Sequence, residues 1–249
     1  MINPDLKGKT VLVTGANSGI GREISINFAK MGCNIILHYL ENEEEAQKII
    51  KTINEYNVKA HPIQANLVNE DELNHLYNKS IELFGSIDVL VNNAAVALFP
   101  DNIFETDANS FNSHFNVNTR ATLLLINRFV KMHQEQEKKE ASIINISTDA
   151  SQNFPNQISY GASKAAIESY TRSIATEVGH LGITVNCISP GPVQTGYITK
   201  DLEEYVLPEI PMNRLGTPKD ISDAVIFFAS AQSRWITGQV LLVSGGHYI

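Results

Sequence analysis

At 249 residues and 43% hydrophobic content, the chain is long enough to bury a sizeable core, and its charge of −8 excludes the clustered Lys and Arg that non-specific nucleic-acid binding needs. Two cysteines far apart in apolar segments, Cys33 and Cys187, exclude a disulfide framework and a Cys-based metal site, and no metal is expected. No apolar run approaches the ~18 residues of a membrane span, and the start of the chain lacks the basic and apolar regions of a signal peptide, so a soluble, cytoplasmic protein is expected.

Composition is even throughout, without repeats or linkers, which predicts one domain over 1–249. In chain order, apolar and β-branched runs predict strands at Thr10–Val13, Asn34–Leu37, Val58–Ala65, Ile87–Val91, Ser142–Ile146, Ile183–Ile188 and Val240–Val243, with helix-period segments between them. Seven strands joined by crossovers imply a mostly parallel sheet with helices on both faces: an α/β, doubly wound, Rossmann-type architecture. Ligands of such sheets sit beyond the C-terminal strand ends, where the strand order reverses. Gly15, Asn92, Ser147 and Pro190-Gly191 follow the first, fourth, fifth and sixth strands and should converge there.

After the first strand, Thr14-Gly15-Ala16-Asn17-Ser18-Gly19-Ile20-Gly21 opens a helix through Lys30. Glycines permit a sharp turn and close backbone approach to a diphosphate, whose charge is met by helix N-terminal N–H groups and the helix dipole. Further along, Tyr160 and Lys164 stand four residues apart in a helix-period segment, on one helix face, with Ser147 thirteen residues before Tyr160. A free Tyr titrates near ~10, so a phenolate at neutral pH needs about 4 kcal/mol of stabilisation. One ammonium at ~4 Å supplies on the order of that in a medium of dielectric ~20, so Lys164 would suffice to make Tyr160 a proton-transfer group.

With these residues in place, the chain resembles the short-chain dehydrogenase/reductases along essentially its whole length. The resemblance rests on the glycine turn, Asn92-Asn93-Ala94-Ala95, Asn118 in Phe115-Asn116-Val117-Asn118, Ser147, Tyr160 with Lys164, and Pro190-Gly191, in the family's order and spacing. It implies hydride transfer between a nicotinamide dinucleotide and a carbonyl or secondary alcohol. By resemblance Ser147 binds the substrate oxygen, Tyr160 exchanges its proton, Lys164 also holds the nicotinamide ribose, and Asn118 anchors a water in the proton relay. Cofactor contacts are expected from Gly15, Asn17, Ser18, Gly19, Ile20, Gly21, Tyr39, Asn66, Leu67, Asn93, Ala94, Tyr160, Lys164, Pro190, Gly191, Val193 and Thr195. Two positions depart from the family pattern. Asn66 replaces the usual Asp after the third strand, and Ala95 replaces a Gly after the fourth.

At the end of the second strand an acid would bind the ribose hydroxyls of NAD and repel the 2′-phosphate of NADP. Tyr39 stands there, with Glu41 close by, and NADP(H) is placed slightly ahead of NAD(H). The overall likeness is to 3-oxoacyl-carrier-protein reductases, so a 3-oxoacyl thioester is the first substrate expected, with a carrier protein as a possible partner. An acidic carrier requires basic residues beside the crevice, of which Lys138 and Lys139 would be part. The polar run Asp149–Asn153 suits a sugar, polyol or small alcohol, the alternative substrate class, and a non-catalytic dinucleotide sensor is the reading from another class. The short loop Gly196–Pro211 predicts a small lid and a modest pocket. Family habit implies a homotetramer, with Leu123, Leu124 and Ile167 available to its interface or to the core.

Overall fold

The computed structural model describes residues 4–138, 140–153 and 155–248. Strands β1 (Thr10–Val13), β2 (Asn34–Tyr39), β3 (Ala60–Gln64), β4 (Val89–Asn92), β5 (Ala141–Ile146), β6 (Ile183–Pro190) and β7 (Val240–Val243) form one sheet in the order β3-β2-β1-β4-β5-β6-β7. Every neighbouring pair is parallel. β2 and β6 run two residues further than the apolar pattern predicts, because Tyr39 pairs with Gln64 and Pro190 with Val243. Hydropathy does not register such pairing.

Crossovers are made by α1 (Gly19–Lys30), α2 (Glu43–Asn54), α3 (Glu70–Phe84), α4 (Ala108–His114), α5 (Thr122–Glu135), α6 (Ile158–Val178), α7 (Lys200–Val206) and α8 (Pro218–Ala229). Alternate residues of a strand point to opposite faces, so Val11 and Val13 join a core with Ile24, Phe28 and Phe228, while Leu12 joins one with Leu73, Leu125 and Phe129. Both faces are thus sealed and ligand access is left to the strand ends. The order reverses between β1 and β4, where Val13 pairs with Val91, and the crevice opens there. The loop after β6 carries α7 and a small core of its own, Val206, Ile210 and Leu215.

A π-helical turn, Phe115–Ala121, joins α4 to α5 and contains Asn118. Ile167 is buried within the chain, which assigns it to the core and removes it from any subunit interface, whereas Leu123 is exposed. No helix among the described residues is long and apolar enough to cross a membrane.

Candidate active site

The glycine turn is braced from three sides. Gly15 and Gly19 have φ of +60° and +49°, a region where a Cβ collides with the backbone. A Cβ on Gly21 would overlap the Gly15 carbonyl oxygen and the Asn93 amide, so the helix packs on the turn only if that position is bare. Asn93 Nδ2 donates to the carbonyls of Thr14 (2.8 Å) and Gly15 (3.0 Å), and Thr14 Oγ1 accepts from the N–H groups of Asn93 and Ala94, both at 3.0 Å. Asn93, a residue expected to contact the cofactor, therefore commits its side-chain nitrogen to the turn. Gly21→Ala should raise the dinucleotide Kd at least about tenfold, on the scale of ~1.4 kcal/mol per decade, and lower the melting temperature; a titration and a melt on the same sample check both.

The third brace is His38, which the sequence reading passed over. Its Nδ1 accepts the Gly15 N–H at 3.1 Å and its Nε2–H donates to the Ala65 carbonyl at 2.9 Å, a pattern that only the neutral ring satisfies. Burial pushes its pKa down to about 4. Between pH 6.5 and 4 the unfolded chain binds a proton that the native state refuses, so this contribution to stability is complete above pH 6.5 and is lost as pH falls towards 4. The loss should reach about 3 kcal/mol. Urea midpoints at pH 7 and pH 5 should show it, and His38→Asn, which keeps a donor and an acceptor but cannot titrate, should flatten that part of the slope.

A crevice of about 570 Å³ opens over the turn, lined by Gly15, Asn17, Ser18, Gly19, Ile20, Asn66, Leu67, Asn93, Ala94 and Thr195 among the expected residues. His38, Leu40, Glu41 and Ala95 also line it. Ser18 is the N-cap of α1 yet its side chain makes no capping bond, which leaves the hydroxyl to a ligand at the helix N-terminus. Asn17 Nδ2 donates to the Glu41 carbonyl at 2.7 Å, and the Asn66 amide oxygen already accepts the Val68 N–H at 3.1 Å. Tyr39, expected to meet the cofactor, is a core residue instead. In a β2 that extends to position 39, residues 35, 37 and 39 share the face packed against α1 and α2, and His38, on the other face, lines the crevice. Pro190, Gly191 and Val193 lie outside this lining; Pro190 ends β6 and Val193 is packed in the core. Gly191 is pressed against Ser244, which a Cβ would meet at 2.8 Å.

The second half of the site is at the start of α6. Its N-cap residue, Gln157, makes no side-chain cap, and the orphan N–H groups of the first turn are taken by Asp101, which is fully buried in the β4–α4 loop. The Asp101 carboxylate accepts from Ser159 and Tyr160, both at 2.9 Å, and its carbonyl accepts from Ile158 at 3.1 Å. This distant cap fixes the backbone of Tyr160. The His114 ring lies edge-on to Tyr160 at 6.2 Å and accepts the Leu98 N–H through Nε2 at 3.0 Å.

Tyr160 and Lys164 share a face of α6, but their polar atoms go separate ways. Lys164 is buried and its Nζ donates to the Ile146 carbonyl at 2.8 Å, with desolvation lowering its pKa to about 8. Burial pushes the Tyr160 hydroxyl up to about 12, opposed by its hydrogen bond with Thr148 and reinforced by the Asp149 charge. The expected depression of Tyr160 by Lys164 is therefore not built into the protein alone.

The Ser147 hydroxyl, expected to bind the substrate oxygen, is committed to a side chain of α6. Its Oγ donates to Glu168 Oε1 at 2.8 Å, and Ser151 Oγ donates to the same oxygen at 2.6 Å. Successive residues of an extended chain point opposite ways; Thr148 is still extended at φ −164°, ψ 152°, and its side chain is near enough to the Tyr160 hydroxyl to lower the pKa of that group. A count of thirteen residues selects Ser147, while the adjacent hydroxyl one residue on was the available signal for Thr148.

Asn118 is fully engaged. Its Nδ2 donates to the Val96 carbonyl (3.0 Å) and Ser163 Oγ (2.9 Å), its Oδ1 accepts the Val96 N–H (2.8 Å), and its own carbonyl accepts Thr122 Oγ1 (2.9 Å). The π-helical turn thus locks α6, beside Lys164, to the strand-end loop that lines the crevice.

Two expectations for partners change on this geometry. Lys138 Nζ binds Asp88 at 2.6 Å and Ser86 at 2.5 Å, at the start of β4 and so at the opposite edge of the sheet from the crevice; Lys139 lies outside the described residues. Within the polar run after Thr148, Asp149 is turned inward and bound to His247 at 2.6 Å, both buried, and Ser151 is bound to Glu168, while Gln152 and Asn153 are exposed.

A doubly wound parallel sheet with a glycine-turn crevice at its switch point, and a Tyr–Lys helix face beside it, defines a dinucleotide-dependent oxidoreductase. The family described as Enoyl-(Acyl carrier protein) reductase matches residues 15–248. The chain is 33% identical to a hydroxynaphthalene reductase-like protein, Arp2, of Metarhizium guizhouense, over 97% of this chain and 95% of that one. It is also 33% identical to the 3-oxoacyl-[acyl-carrier-protein] reductase FabG of Staphylococcus epidermidis, over 97% and 99%. Among solved structures, 7α-hydroxysteroid dehydrogenase with NADH and 7-oxo glycochenodeoxycholic acid superposes with a TM-score of 0.92 at 32% identity, covering 98% of this chain and 96% of that one. LugOII, a promiscuous reductase that catalyses keto-reduction at C1 during lugdunomycin biosynthesis, gives 0.90 at 32% identity, with 98% and 99% covered. This chain belongs to the short-chain dehydrogenase/reductase family, oxidoreductases that act on carbonyl and CH–OH groups.

Proposed function

We propose that the protein reduces a ketone carried by a free small molecule, with hydride from a reduced nicotinamide dinucleotide. The observation that carries the reading is Tyr160 on one face of α6 with Lys164, its backbone fixed by Asp101, where its hydroxyl can give a proton to a carbonyl oxygen. Thr148, hydrogen-bonded to that hydroxyl, orients the carbonyl in the role expected of Ser147. Asp101 and Asn118 hold the two ends of the α6 segment that carries Tyr160 and Lys164. The bare positions 15, 19 and 21, the uncapped Ser18 and the crevice volume fit a dinucleotide, which when bound supplies the hydride. Lys164, poised near pH 8 and parked on the Ile146 carbonyl, is the cation available to the ribose and to a developing charge on Tyr160.

The NADP(H) expectation rests on position 39, whose Tyr is buried in the core. The crevice lining contains Glu41 and neither Lys nor Arg, and Arg22 of α1 is paired with Glu45 at 3.6 Å. A 2′-phosphate would meet like charge there, so we place NADH ahead of NADPH. A second reading, reduction of 3-oxoacyl thioesters, is supported by the FabG likeness, although Lys138 gives it no docking residue. A cytoplasmic homotetramer is part of the proposal by family likeness.

Titration with NADH and NADPH, followed by single-turnover assays with ketones, acetoacetyl thioesters and aldoses, tests the proposal. Turnover of free ketones supports it; turnover restricted to thioesters selects the second reading, and tight dinucleotide binding with no turnover of any carbonyl selects a sensor.

A further inference from the structure

A buried imidazole stands between two carboxylates behind the strand end that carries Ser147 and Thr148. His247 belongs to the segment after β7; its Nδ1 lies 2.6 Å from Asp149 Oδ2 and its Nε2 lies 3.5 Å from Glu209 Oε2. His247 and Asp149 are buried, whereas Glu209, in the turn after α7, is exposed. Nε2 is shielded from solvent and has no hydrogen-bond partner among the described residues, and the Tyr248 ring meets the imidazole edge-on at 4.3 Å. A neutral ring donates from one nitrogen and an imidazolium from both, so a carboxylate at each nitrogen suits the charged ring. Burial pushes the Asp149 carboxyl up, and its contact with His247 opposes the rise.

Asp149 is placed to act on Tyr160. It opens the turn Asp149–Ser151, which is pressed onto α6 one residue past Tyr160: a Cβ on Gly161 would meet the Ala150 carbonyl oxygen at 2.6 Å. Asp149 Oδ1 accepts from Thr148 Oγ1 at 3.4 Å, and the charge on Asp149 disfavours ionisation of the Tyr160 hydroxyl. The other titratable groups at Tyr160 are His114, edge-on to its ring, and Lys164, held on the Ile146 carbonyl. A tyrosine that gives its proton to a ketone is left as a phenolate. A lone carboxylate nearby opposes that step, and a cation bound to the carboxylate offsets the opposition.

We propose that His247 is a positioning residue for Tyr160, which it serves by fixing the Asp149 carboxylate and balancing its charge as Tyr160 gives up a proton. The inference rests on the proton transfer that the proposed ketone reduction assigns to Tyr160.

The test uses His247→Gln, which keeps a donor to Asp149 and cannot carry a charge, alone and combined with Asp149→Asn. In His247→Gln the kcat for ketone reduction should fall about tenfold, the scale of one pKa unit at the proton donor, with the ketone KM and the dinucleotide Kd unchanged. The ratio of wild-type to variant kcat should shrink as pH rises and the wild-type ring loses its proton. Adding Asp149→Asn removes the uncompensated charge and should bring kcat back to within about threefold of wild type; a merely structural His247 would leave the double variant no faster than the single one. An unchanged kcat in His247→Gln, or a double variant as slow as the single one, overturns the inference and leaves ketone reduction standing. Should the wild type reduce no ketone, that reading fails; in that case, or if His247→Gln does not fold, NMR of the wild type and Asp149→Asn decides. The His247 ring should carry protons on both nitrogens at neutral pH, and the Tyr160 Cζ signal, assigned with Tyr160→Phe, should titrate at lower pH in Asp149→Asn. A proton on one nitrogen only, or a Tyr160 signal indifferent to Asp149→Asn, overturns the inference.

Discussion

Tyr160→Phe should leave a folded protein that binds dinucleotide as the wild type does and reduces ketones about 10² to 10⁴ times more slowly, the usual worth of a positioned general acid. The backbone of Tyr160 is held by Asp101 through its N–H, and its ring packs against His114. Neither contact uses the hydroxyl, so the substitution removes the transferable proton and the interaction with Thr148 while leaving the packing in place. In a chemistry-limited assay, the reverse oxidation by the wild type should quicken as pH rises from neutral, because ionisation of a hydroxyl held at about 12 limits the base form. More than a few per cent of wild-type reduction in the Phe variant, or an oxidation rate indifferent to pH, would place the proton transfer on another group.

Thr148→Val should be nearly as damaging, at about 10² to 10³ in kcat/KM, the cost of losing a single donor aimed at a developing oxyanion. Ser147→Ala should be mild. The Ser147 hydroxyl serves Glu168, which keeps Ser151 as a second donor at 2.6 Å, so its loss is expected to cost about 1 kcal/mol of stability. Thr148→Ser, which preserves the hydroxyl, should restore most of the activity. Kinetics on the three variants separate the two neighbouring hydroxyls directly: if Ser147→Ala is the crippled variant and Thr148→Val the mild one, substrate orientation belongs to Ser147.

The two hydroxyls show where sequence reasoning reached its resolution. Spacing along the chain brought the reading to the strand end and to Ser147, whose hydroxyl the fold commits to Glu168. The direction of a side chain depends on the local φ and ψ, and the partner that consumes it, Glu168, lies a full helix turn beyond Lys164. Tyr39 has the same cause. Two more residues of β2 pairing put it in the core and gave the crevice to His38 and Glu41. Asp101 and His247 had no sequence signal at all, since each gains its role from a partner 59 and 98 positions away.

By itself the sequence determined what depends on local chemistry and periodicity: seven apolar strands alternating with helices, a turn that tolerates no side chain at positions 15 and 21, and a Tyr and Lys one helix turn apart. Those features follow from sterics and burial, which act residue by residue. Only the tertiary structure decided which polar atoms meet. A buried donor or acceptor must find a partner or pay the cost of desolvation, and the partners that Ser147, Asn93 and Lys164 found were across the fold: Glu168, the glycine turn's carbonyls and the end of β5. That competition for partners left Thr148 beside Tyr160.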